Sequence, residues 1–385
     1  MPIVRAELEA LLSELVSIDS RNPWLIEGGP GEGAVAGFVE ARLRALPVEV
    51  SVDEVEPGRP NVIARLRGTG GGPSLCLNAH TDAVGDASWP GRSMDPVVDG
   101  DHLVGLGAAD DKGHCAIALL VLESIVASGV RLRGDLVCAW TMDEEATSLG
   151  TQDLVVRHPT DAAIVVEPFG LGRVTVTHQG FGWLDVVVRG RAAHGSAPDV
   201  GIDAISRMAE VVRRLDRLER ERFAADPHPL NGKTVYHAST IVGGSDYATY
   251  PASCTLGIEI GTQPGETIEA RVRDIEAIFE EIRAEIPDFD AEVVVKLHRD
   301  PFEARGHEEL WDVIATATRE VLGRDPVAAG ENAWMDAALM QGAGIATLSV
   351  GASGDHLHAP DEWVSIPELV SVGEILELTV LRYCG

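Results

Sequence analysis

The spacing of apolar residues along the chain predicts helices that alternate with buried strands. Apolar positions recur at helical spacing over residues 3–18, 33–46 and 114–128. Short apolar runs bounded by Gly or Pro predict buried strands at residues 61–67, 74–78, 135–141, 161–166 and 343–350. Because strand and helix alternate, we expect an α/β sandwich around a largely parallel sheet.

The pattern changes in the middle of the chain. Strands are predicted at residues 183–189, 234–242, 254–260 and 290–298, and long charged helices at 201–223 and 266–285. Their order, βαββαβ, is that of the split βαβ or ferredoxin-like arrangement. We therefore predict an inserted α+β domain at residues 177–298, with residues 1–176 and 299–385 forming the α/β domain around it. A predicted helix at 308–322 resumes the α/β pattern.

Charge and composition exclude several classes of partner. The 385 residues include 31 Lys and Arg against 61 Asp and Glu, a formal net charge of −30, and so acidic a chain lacks the basic surface that nucleic acids need. No run of 18 apolar residues occurs, and the N-terminus reads as an amphipathic helix without the apolar core of a signal peptide. Five cysteines without a CxxC spacing suit a reducing compartment. We expect a cytoplasmic protein that binds neither nucleic acid nor membrane.

Six segments place His, Asp or Glu at predicted strand ends or in Gly-rich loops, where open α/β sheets bind their ligands. They are HTD at 80–82, GLGAADDKG at 105–113, DEE at 143–145, EP at 167–168, HGS at 194–196 and HAPDE at 358–362. Alone, each carboxylate is usually a solvated surface group. Together, two imidazoles and at least three carboxylates without a thiolate suit Zn²⁺, or Mn²⁺ and Co²⁺ at similar geometry. Two neighbouring metal ions need a bridging carboxylate, and the Asp of the Gly-rich turn is placed to supply it.

HTD, GxGAADxKG, DEE, EP and HxPDE occur in the order and at the spacings of the M20 metallopeptidases and deacylases, and in these motifs the chain resembles that family. Acetylornithine deacetylase, succinyl-diaminopimelate desuccinylase and carboxypeptidase G2 are among its members. The resemblance covers essentially the whole chain. It implies a zinc-exopeptidase-like catalytic domain with an inserted ferredoxin-like lid and dimerisation domain. It also implies amide hydrolysis by a metal-bound water at two co-catalytic Zn²⁺ ions per subunit, with Co²⁺ or Mn²⁺ as replacements.

The resemblance assigns metal ligands to individual motif residues. It implies that one metal ion is held by His80 and Glu167, that the other is held by Glu145 and His358, and that Asp110 bridges them. The family's bridging Asp stands two residues before Lys, so Asp111 falls on the variable position between Asp110 and Lys112. The resemblance also implies a cis peptide bond between Asp110 and Asp111.

Two catalytic roles come from the same motifs. Glu144 matches the family's general base, which takes a proton from the attacking water. Asp82 is expected to accept the second N–H of the His80 imidazole and fix its tautomer, and the alternative is an aspartate that only caps a turn.

Two further histidines carry different expectations. His194, in RAAHGSAP, matches the lid histidine that in dimeric members reaches the partner's active site and steadies the tetrahedral oxyanion. The alternative for His194 is an ordinary solvent-exposed residue of a loop. His356 precedes the HxPDE motif, so we assign it a supporting position in the pocket at most.

The inserted domain departs from the deacylase pattern. Ala248, Glu259 and Gly261 stand where the family carries Asn, Asp and Arg, which help to grip the substrate's carboxylate and oxyanion. Losing a bidentate guanidinium is not a neutral change. Either the substrate lacks that carboxylate, or another arginine supplies the grip, for which the candidates are Arg189, Arg191 and Arg305. Pocket-lining candidates, which otherwise only pack at a helix start, are Asn332, Trp334 and Met335.

The leading functional prediction is an N-acyl-amino-acid amidohydrolase of the acetylornithine deacetylase or desuccinylase type. Its substrate is then a small N-acyl amino acid or a short peptide, and the lid forms a homodimer. A di- or carboxypeptidase and an N-carbamoyl amidohydrolase are the alternatives. An inactive binding module is the remote alternative, because such a chain is expected to lose Glu144 or a metal ligand and all of them are present.

Overall fold

The structure is a computed structural model that describes residues 3–385. In chain order its helices are α1 (Arg5–Ser17), α2 (Gly33–Leu43), α3 (Gly113–Ser128), α4 (Leu149–Arg157), α5 (Ala204–Leu218), α6 (Ile268–Glu285), α7 (Glu308–Leu322), α8 (Ala337–Gly342) and α9 (Ile366–Tyr383). Its strands are β1 (Glu49–Glu56), β2 (Arg59–Leu66), β3 (Leu75–His80), β4 (Val97–Asp99), β5 (His102–Val104), β6 (Leu136–Thr141), β7 (Ala162–Val166), β8 (Arg173–His178), β9 (Gly180–Arg189), β10 (Tyr236–Gly243), β11 (Ser253–Thr262), β12 (Asp290–Arg299), β13 (Phe302–Glu303), β14 (Val327–Glu331), β15 (Ala346–Val350), β16 (Gly354–Asp355) and β17 (Trp363–Ser365). Two π-helical turns, Ala108–Lys112 and Glu219–Phe223, adjoin α3 and α5.

These elements form two compact units, which we call the first and the second unit. The first contains the residues up to Val176 together with Ala304–Ala328 and Met335–Gly385. The second comprises Thr177–Glu303 and Ala329–Trp334. The catalytic and lid roles expected for these parts of the chain stay predictions.

A mixed sheet in strand order β1-β2-β6-β3-β7-β15-β8 runs through the first unit. Strands β6, β3, β7 and β15 are parallel, and all residues of β3, β6 and β7 are buried, as parallel strands covered on both faces should be. The predicted α/β architecture is confirmed. The sheet is mixed rather than largely parallel. β1 and β2 form an antiparallel hairpin around Pro57 and Gly58, with φ of +76° at Gly58. The pairs β2–β6 and β15–β8 are antiparallel as well.

The core of the first unit lies around α3. This helix packs against β3 and β6 and against α1 and α9, and twelve of its sixteen residues are buried. Fully buried side chains from these elements include Leu8, Leu77, Leu119, Trp140 and Leu376. Within residues 3–385, none of the helices combines the length and the apolar run needed to cross a bilayer.

The parallel strands bring the predicted motifs to one edge of the sheet. His80 is the last residue of β3, Asp143 comes two residues after β6, and Glu167 directly follows β7. Because parallel strands end on the same side, these residues meet there. The first unit also contains a small antiparallel sheet in the order β16-β17-β5-β4. Directly after β5, the backbone N–H of Gly105 donates to the carbonyl oxygen of Glu362, directly before β17, over 2.9 Å.

The second unit has its own antiparallel sheet, in strand order β10-β11-β9-β12. Helices α5 and α6 pack on it and bury a separate apolar core. The element order β9-α5-β10-β11-α6-β12 confirms the predicted ferredoxin-like arrangement. Helix α5 begins at Ala204 because the Asp203 side chain accepts the backbone N–H of Ser206 over 3.0 Å, which caps the helix.

Candidate active site

Asp110 lies between two histidines that are distant from it in sequence. His80 Nε2 is 2.9 Å from Asp110 Oδ1, and His358 Nε2 is 3.4 Å from Asp110 Oδ2. The two carboxylate oxygens therefore face two different imidazoles, which is the geometry of a bridging carboxylate. The family resemblance implies this bridging position for Asp110.

The other predicted ligands complete two groups around Asp110. His80 Nε2 is 4.0 Å from Glu167 Oε1, and His358 Nε2 is 3.1 Å from Glu145 Oε2. Within each group, one ligand atom per residue lies within 4.8 Å of the others. The groups that could hold a metal ion are His80, Asp110, Asp111 and Glu167, and Asp110, Glu145 and His358.

Asp111 is occupied by donors of the protein itself. His114 Nδ1 lies 2.6 Å from its Oδ1, and the backbone N–H of His80 donates to its Oδ2 over 3.1 Å. His114 Nε2 accepts the backbone N–H of Ala352 over 3.1 Å, so the ring proton is on Nδ1 and points at Asp111. Asp110 is therefore the better placed of the two for a metal ion, and the peptide bond between them is cis, as the resemblance implies.

The Asp82 carboxylate holds the turn that carries Glu144 and Glu145. The backbone N–H of Glu144 donates to Asp82 Oδ1 over 3.0 Å, and that of Glu145 donates to Asp82 Oδ2 over 3.1 Å. His80 Nδ1 is 3.3 Å from Asp82 Oδ1. Asp82 thus lies beside the His80 ring, although His80 Nδ1 forms no hydrogen bond there, and it fixes the backbone of the neighbouring motif. The expected role of Asp82 in fixing the His80 tautomer stays a prediction.

The titration of these groups reflects crowded negative charge. Burial, and then the carboxylates Glu167 and Asp336, raise the pKa of Glu144 well above its ordinary value although His80 opposes this. Partial burial alone would lower the pKa of His358, but its contacts with Asp110 and Glu145 raise it to about 11. Burial opposes ionisation of Asp110, but hydrogen bonds with His358 and His80 hold its pKa below the usual range. Divalent cations would relieve this repulsion, and nitrogen and oxygen donors without thiolate are a set that they accept, so the residues present fit two metal ions.

The sequence profile of the family described as peptidase family M20/M25/M40 matches residues 76–382, which is most of the chain. The chain belongs to this family. The residues of the site just described, from His80 to His358, lie within the matched range.

Individual relatives extend the likeness over the full length. The chain is 25% identical over 426 residues to N-formyl-4-amino-5-aminomethyl-2-methylpyrimidine deformylase of Bacillus subtilis, covering 99% of this chain and 95% of the relative. It is 28% identical over 395 residues to acetylornithine deacetylase of Myxococcus xanthus, covering 98% of each. A tripeptidase structure from Staphylococcus aureus superposes with a TM-score of 0.84 at 21% identity and covers 100% of both chains. As a member of the M20 family, the chain is a hydrolase of amide bonds.

His194 lies in the second unit, on an exposed loop paired with residues 248–249. Its Nδ1 accepts the backbone N–H of Ser196 over 3.2 Å and lies 2.8 Å from Ser196 Oγ. Because Nδ1 accepts, the ring proton is on Nε2. The predicted metal ligands, Glu144 and Asp82 all belong to the first unit.

The departure at Gly261 has a structural basis in the second unit. A Cβ at Gly261 would lie 2.5 Å from Gln179 Oε1. Gln179 is held there because its Oε1 accepts the backbone N–H of Val235 over 3.0 Å and its Nε2 donates to Lys233 O over 2.7 Å. Glu259 accepts the indole N–H of Trp183 over 2.7 Å. A large side chain at position 261 therefore has no room.

The remaining candidates occupy varied positions. Met335 is buried and packs in the first unit, whereas Trp334 is half-buried in the second unit and donates to Asp300 O over 3.1 Å. Asn332 and His356 are exposed, and His356 is in neither ligand group. Arg189 forms an ion pair with Glu292, and Arg191 and Arg305 are exposed. An arginine grip on the substrate stays a prediction.

Sequence reasoning missed one residue that shapes the loop before Asp110. The buried Glu362 carboxylate accepts the backbone N–H groups of Gly107, Ala109 and Asp110 over 3.0, 2.9 and 3.1 Å. Burial and the charge of Asp110 raise the pKa of Glu362 to about 7. In the sequence, Glu362 stands out only as the last residue of the HxPDE motif. Its hydrogen-bond partners are more than 250 residues away in sequence.

Proposed function

We propose that the chain is a di-zinc amidohydrolase that removes the acyl group of an N-acylated amino acid or a related small molecule. The observation that carries this proposal is Asp110, whose two oxygens face His80 and His358 over 2.9 and 3.4 Å. His80 and Glu167 would hold one ion, Glu145 and His358 the other, and Asp110 both. Zn²⁺ bound there, or Co²⁺ or Mn²⁺ in its place, would polarise the scissile carbonyl and make water a stronger acid.

Glu144 supplies the general base in this proposal. Its raised pKa suits a carboxylate that takes a proton from water and then delivers it to the departing amine. Asp82 holds the backbone of Glu144 and Glu145 and contacts the His80 ring. One buried side chain thereby fixes the base and two proposed ligands relative to one another.

His194 is proposed as the donor to the oxyanion in a partner subunit's site. Its Nε2–H is free to donate because Nδ1 accepts from Ser196. The dimer would form through β10, which lies at the edge of its sheet with seven of its eight residues exposed. Ile241 and Val242 on this strand are 59% and 72% exposed, and an apolar edge strand favours pairing across a two-fold axis.

A mixing experiment tests the dimer. His194→Ala and Glu144→Gln proteins are each nearly inactive in this proposal, but a mixed dimer has one site with an intact Glu144 and an intact trans His194. An equimolar mixture should recover about a quarter of wild-type activity, since half of the dimers are mixed and each has one such site. A single-chain mass in sedimentation together with no recovery on mixing would exclude the trans role of His194 and leave the metal site unaffected.

A second candidate substrate class is an N-acyl amine without a carboxylate. Gly261 and the Gln179 side chain beside it leave no room for an arginine at the position where the family's carboxylate grip is expected. The Bacillus subtilis relative is named for deformylation of an aminopyrimidine, which fits this class. A di- or carboxypeptidase and an N-carbamoyl amidohydrolase remain further alternatives.

A hydrolysis panel decides among these substrates. The metal-free protein is supplied separately with Zn²⁺, Co²⁺ or Mn²⁺ and offered N-acetyl, N-succinyl, N-formyl and N-carbamoyl amino acids, unblocked dipeptides and an N-formyl aminopyrimidine. We expect the wild-type protein to hydrolyse N-acyl amino acids and the Glu144→Gln variant to leave them intact. Preference for the aminopyrimidine would favour the second class, and no hydrolysis with any metal would overturn the enzymatic proposal.

We propose a cytoplasmic location for the enzyme. All five cysteines are free and buried, which suits a reducing compartment. A cell fractionation that finds the protein outside the cytoplasm would exclude this location.

A further inference from the structure

A buried ion network lies behind the Glu144–Glu145 turn. Arg59 donates to Glu32 through Nε and Nη2, each over 2.7 Å, and its Nη2 also donates to Asp143 Oδ1 over 3.0 Å. The side chain of Arg59 is 6% exposed, and those of Glu32 and Asp143 are 0% exposed. Buried ion pairs contribute little net stability because desolvation offsets their attraction. Net stability alone therefore does not account for this network.

Asn22 connects this network to the site. Its Nδ2 donates to Asp82 Oδ2 over 2.8 Å and to Asp143 Oδ1 over 2.9 Å. Its Oδ1 accepts the backbone N–H of Trp24 over 2.9 Å, which fixes the orientation of the amide. A neutral donor thus joins two buried carboxylates that would otherwise repel each other.

Asp143 is the point at which the network meets the catalytic turn. It directly precedes Glu144 and has a φ of +67°, in the left-handed region that few residues other than Gly adopt. Its side chain is held by Arg59 and Asn22, and its backbone N–H donates to Glu32 Oε1 over 3.2 Å. Contacts to both its side chain and its backbone hold Asp143 in this conformation, which sets the direction of the chain into Glu144.

We propose that Arg59 and Asn22 are positioning residues for Glu144 and Glu145, an inference that rests on the proposed function. Arg59 holds the Asp143 carboxylate. Asn22 fixes Asp143 and also Asp82, which accepts the backbone N–H groups of both glutamates. Since a displacement of about 1 Å in a catalytic group can cost a hundredfold in rate, both supports act on turnover without touching the substrate.

The test compares three variants on the substrate that the wild-type enzyme hydrolyses best. Arg59→Lys keeps the charge but loses the fork that reaches the carboxylates of Glu32, Glu56 and Asp143. Asn22→Ala removes the neutral link. Arg65→Lys is the matched control, because Arg65 lies on the same strand, six residues further, and pairs with Asp135 over 3.0 Å. We measure kcat, KM, bound metal, the visible spectrum of the Co²⁺ protein and urea unfolding.

We expect kcat to fall about 10- to 100-fold in Arg59→Lys and Asn22→Ala, while KM stays within about threefold and both metal ions stay bound. The Co²⁺ spectrum should shift because the Glu145 backbone is loosened. Arg65→Lys should leave kcat and the spectrum unchanged. In a Glu144→Gln background the additional loss should shrink to less than about threefold, because the group being positioned is already gone.

A purely structural role of Arg59 and Asn22 predicts losses of kcat that do not depend on Glu144. Losses of kcat that multiply fully in the Glu144→Gln background, or that match Arg65→Lys, would overturn the inference, as would failure of both Arg59→Lys and Asn22→Ala to fold. Should Glu144→Gln itself keep wild-type turnover, the proposed function fails first. Should it lose turnover while Arg59→Lys and Asn22→Ala keep theirs, only the positioning inference fails.

Discussion

Glu144→Gln should change activity and stability in opposite directions. The substitution preserves the shape of the side chain, and the bonds that anchor this turn to Asp82 come from the backbone N–H groups of Glu144 and Glu145. The turn and the proposed ligand Glu145 should therefore stay in place. What the variant loses is the ability to accept a proton.

The magnitude of the activity loss follows from that role. General-base assistance contributes about 10²–10⁴ in rate. At about 1.36 kcal/mol for each factor of ten, this raises the activation barrier by about 3–5 kcal/mol. Metal content should stay at the wild-type level.

The stability change follows from charge. Burial, and then Glu167 and Asp336, raise the pKa of Glu144 above its ordinary value of 4.5, so the folded state binds this proton more tightly than the unfolded state. Wild-type stability then falls as the pH rises above about 4.5 until the raised pKa is passed. Glutamine does not titrate, so in metal-free protein the variant should become the more stable of the two as the pH rises.

Three measurements check this reasoning. They are kcat on the best substrate of the panel, metal content of the same preparation, and urea unfolding of metal-free protein at pH 5 and pH 8. Glu145→Gln is the matched control on the same turn, and it should lose metal. Near-normal turnover of Glu144→Gln with both metal ions bound would remove the base from its role, and a stability difference that does not change with pH would refute the charge argument.

The remaining predictions concern metal, salt and thiols. Asp110→Ala should lose metal at both sites and His358→Ala mainly at one, because only the bridge serves two ions; metal analysis that finds two equivalents in Asp110→Ala would contradict this. The thermal midpoint should rise with NaCl at fixed metal, because salt screens the self-repulsion of a net charge of −30; a flat or falling response counts against it. Burial raises the pKa of Cys76 and of Cys384 to about 12, so a disulfide reagent at pH 8 should modify neither thiol in native protein, and rapid labelling of either would show that it is accessible.

The buried strands could be predicted from the sequence, but the edge of the sheet could not. β3, β6 and β7 are apolar at nearly every position because both of their faces are covered. β1 reads EVSVDEVE, and seven of its eight residues keep some exposure to solvent. Its many charged residues are also typical of a loop. β1 is a strand because it pairs with β2, and the sequence alone does not reveal that pairing.

The proposed ligands and the supports behind them also differ in how much the sequence reveals. Each ligand belongs to a short motif at a predicted strand end or loop, where its neighbours point to its chemistry. Asn22 and Arg59 stand in no such motif. Asn22 meets Asp82 across 60 residues of sequence and Asp143 across 121, and Arg59 meets Asp143 across 84. A single sequence carries no signal for such pairings.

Negative charge has different effects on the surface and in the cluster around Asp110. On the surface, carboxylates are hydrated, and salt can screen them. In the cluster, burial raises the pKa of Glu144 and Glu167 well above their ordinary values, and contacts with Asp110 and Glu145 raise the pKa of His358 to about 11. The protons that these groups hold offset the charge of the carboxylates, as bound metal ions would. Metal binding must therefore displace protons, and its affinity must rise with pH until the imidazoles and carboxylates are fully deprotonated.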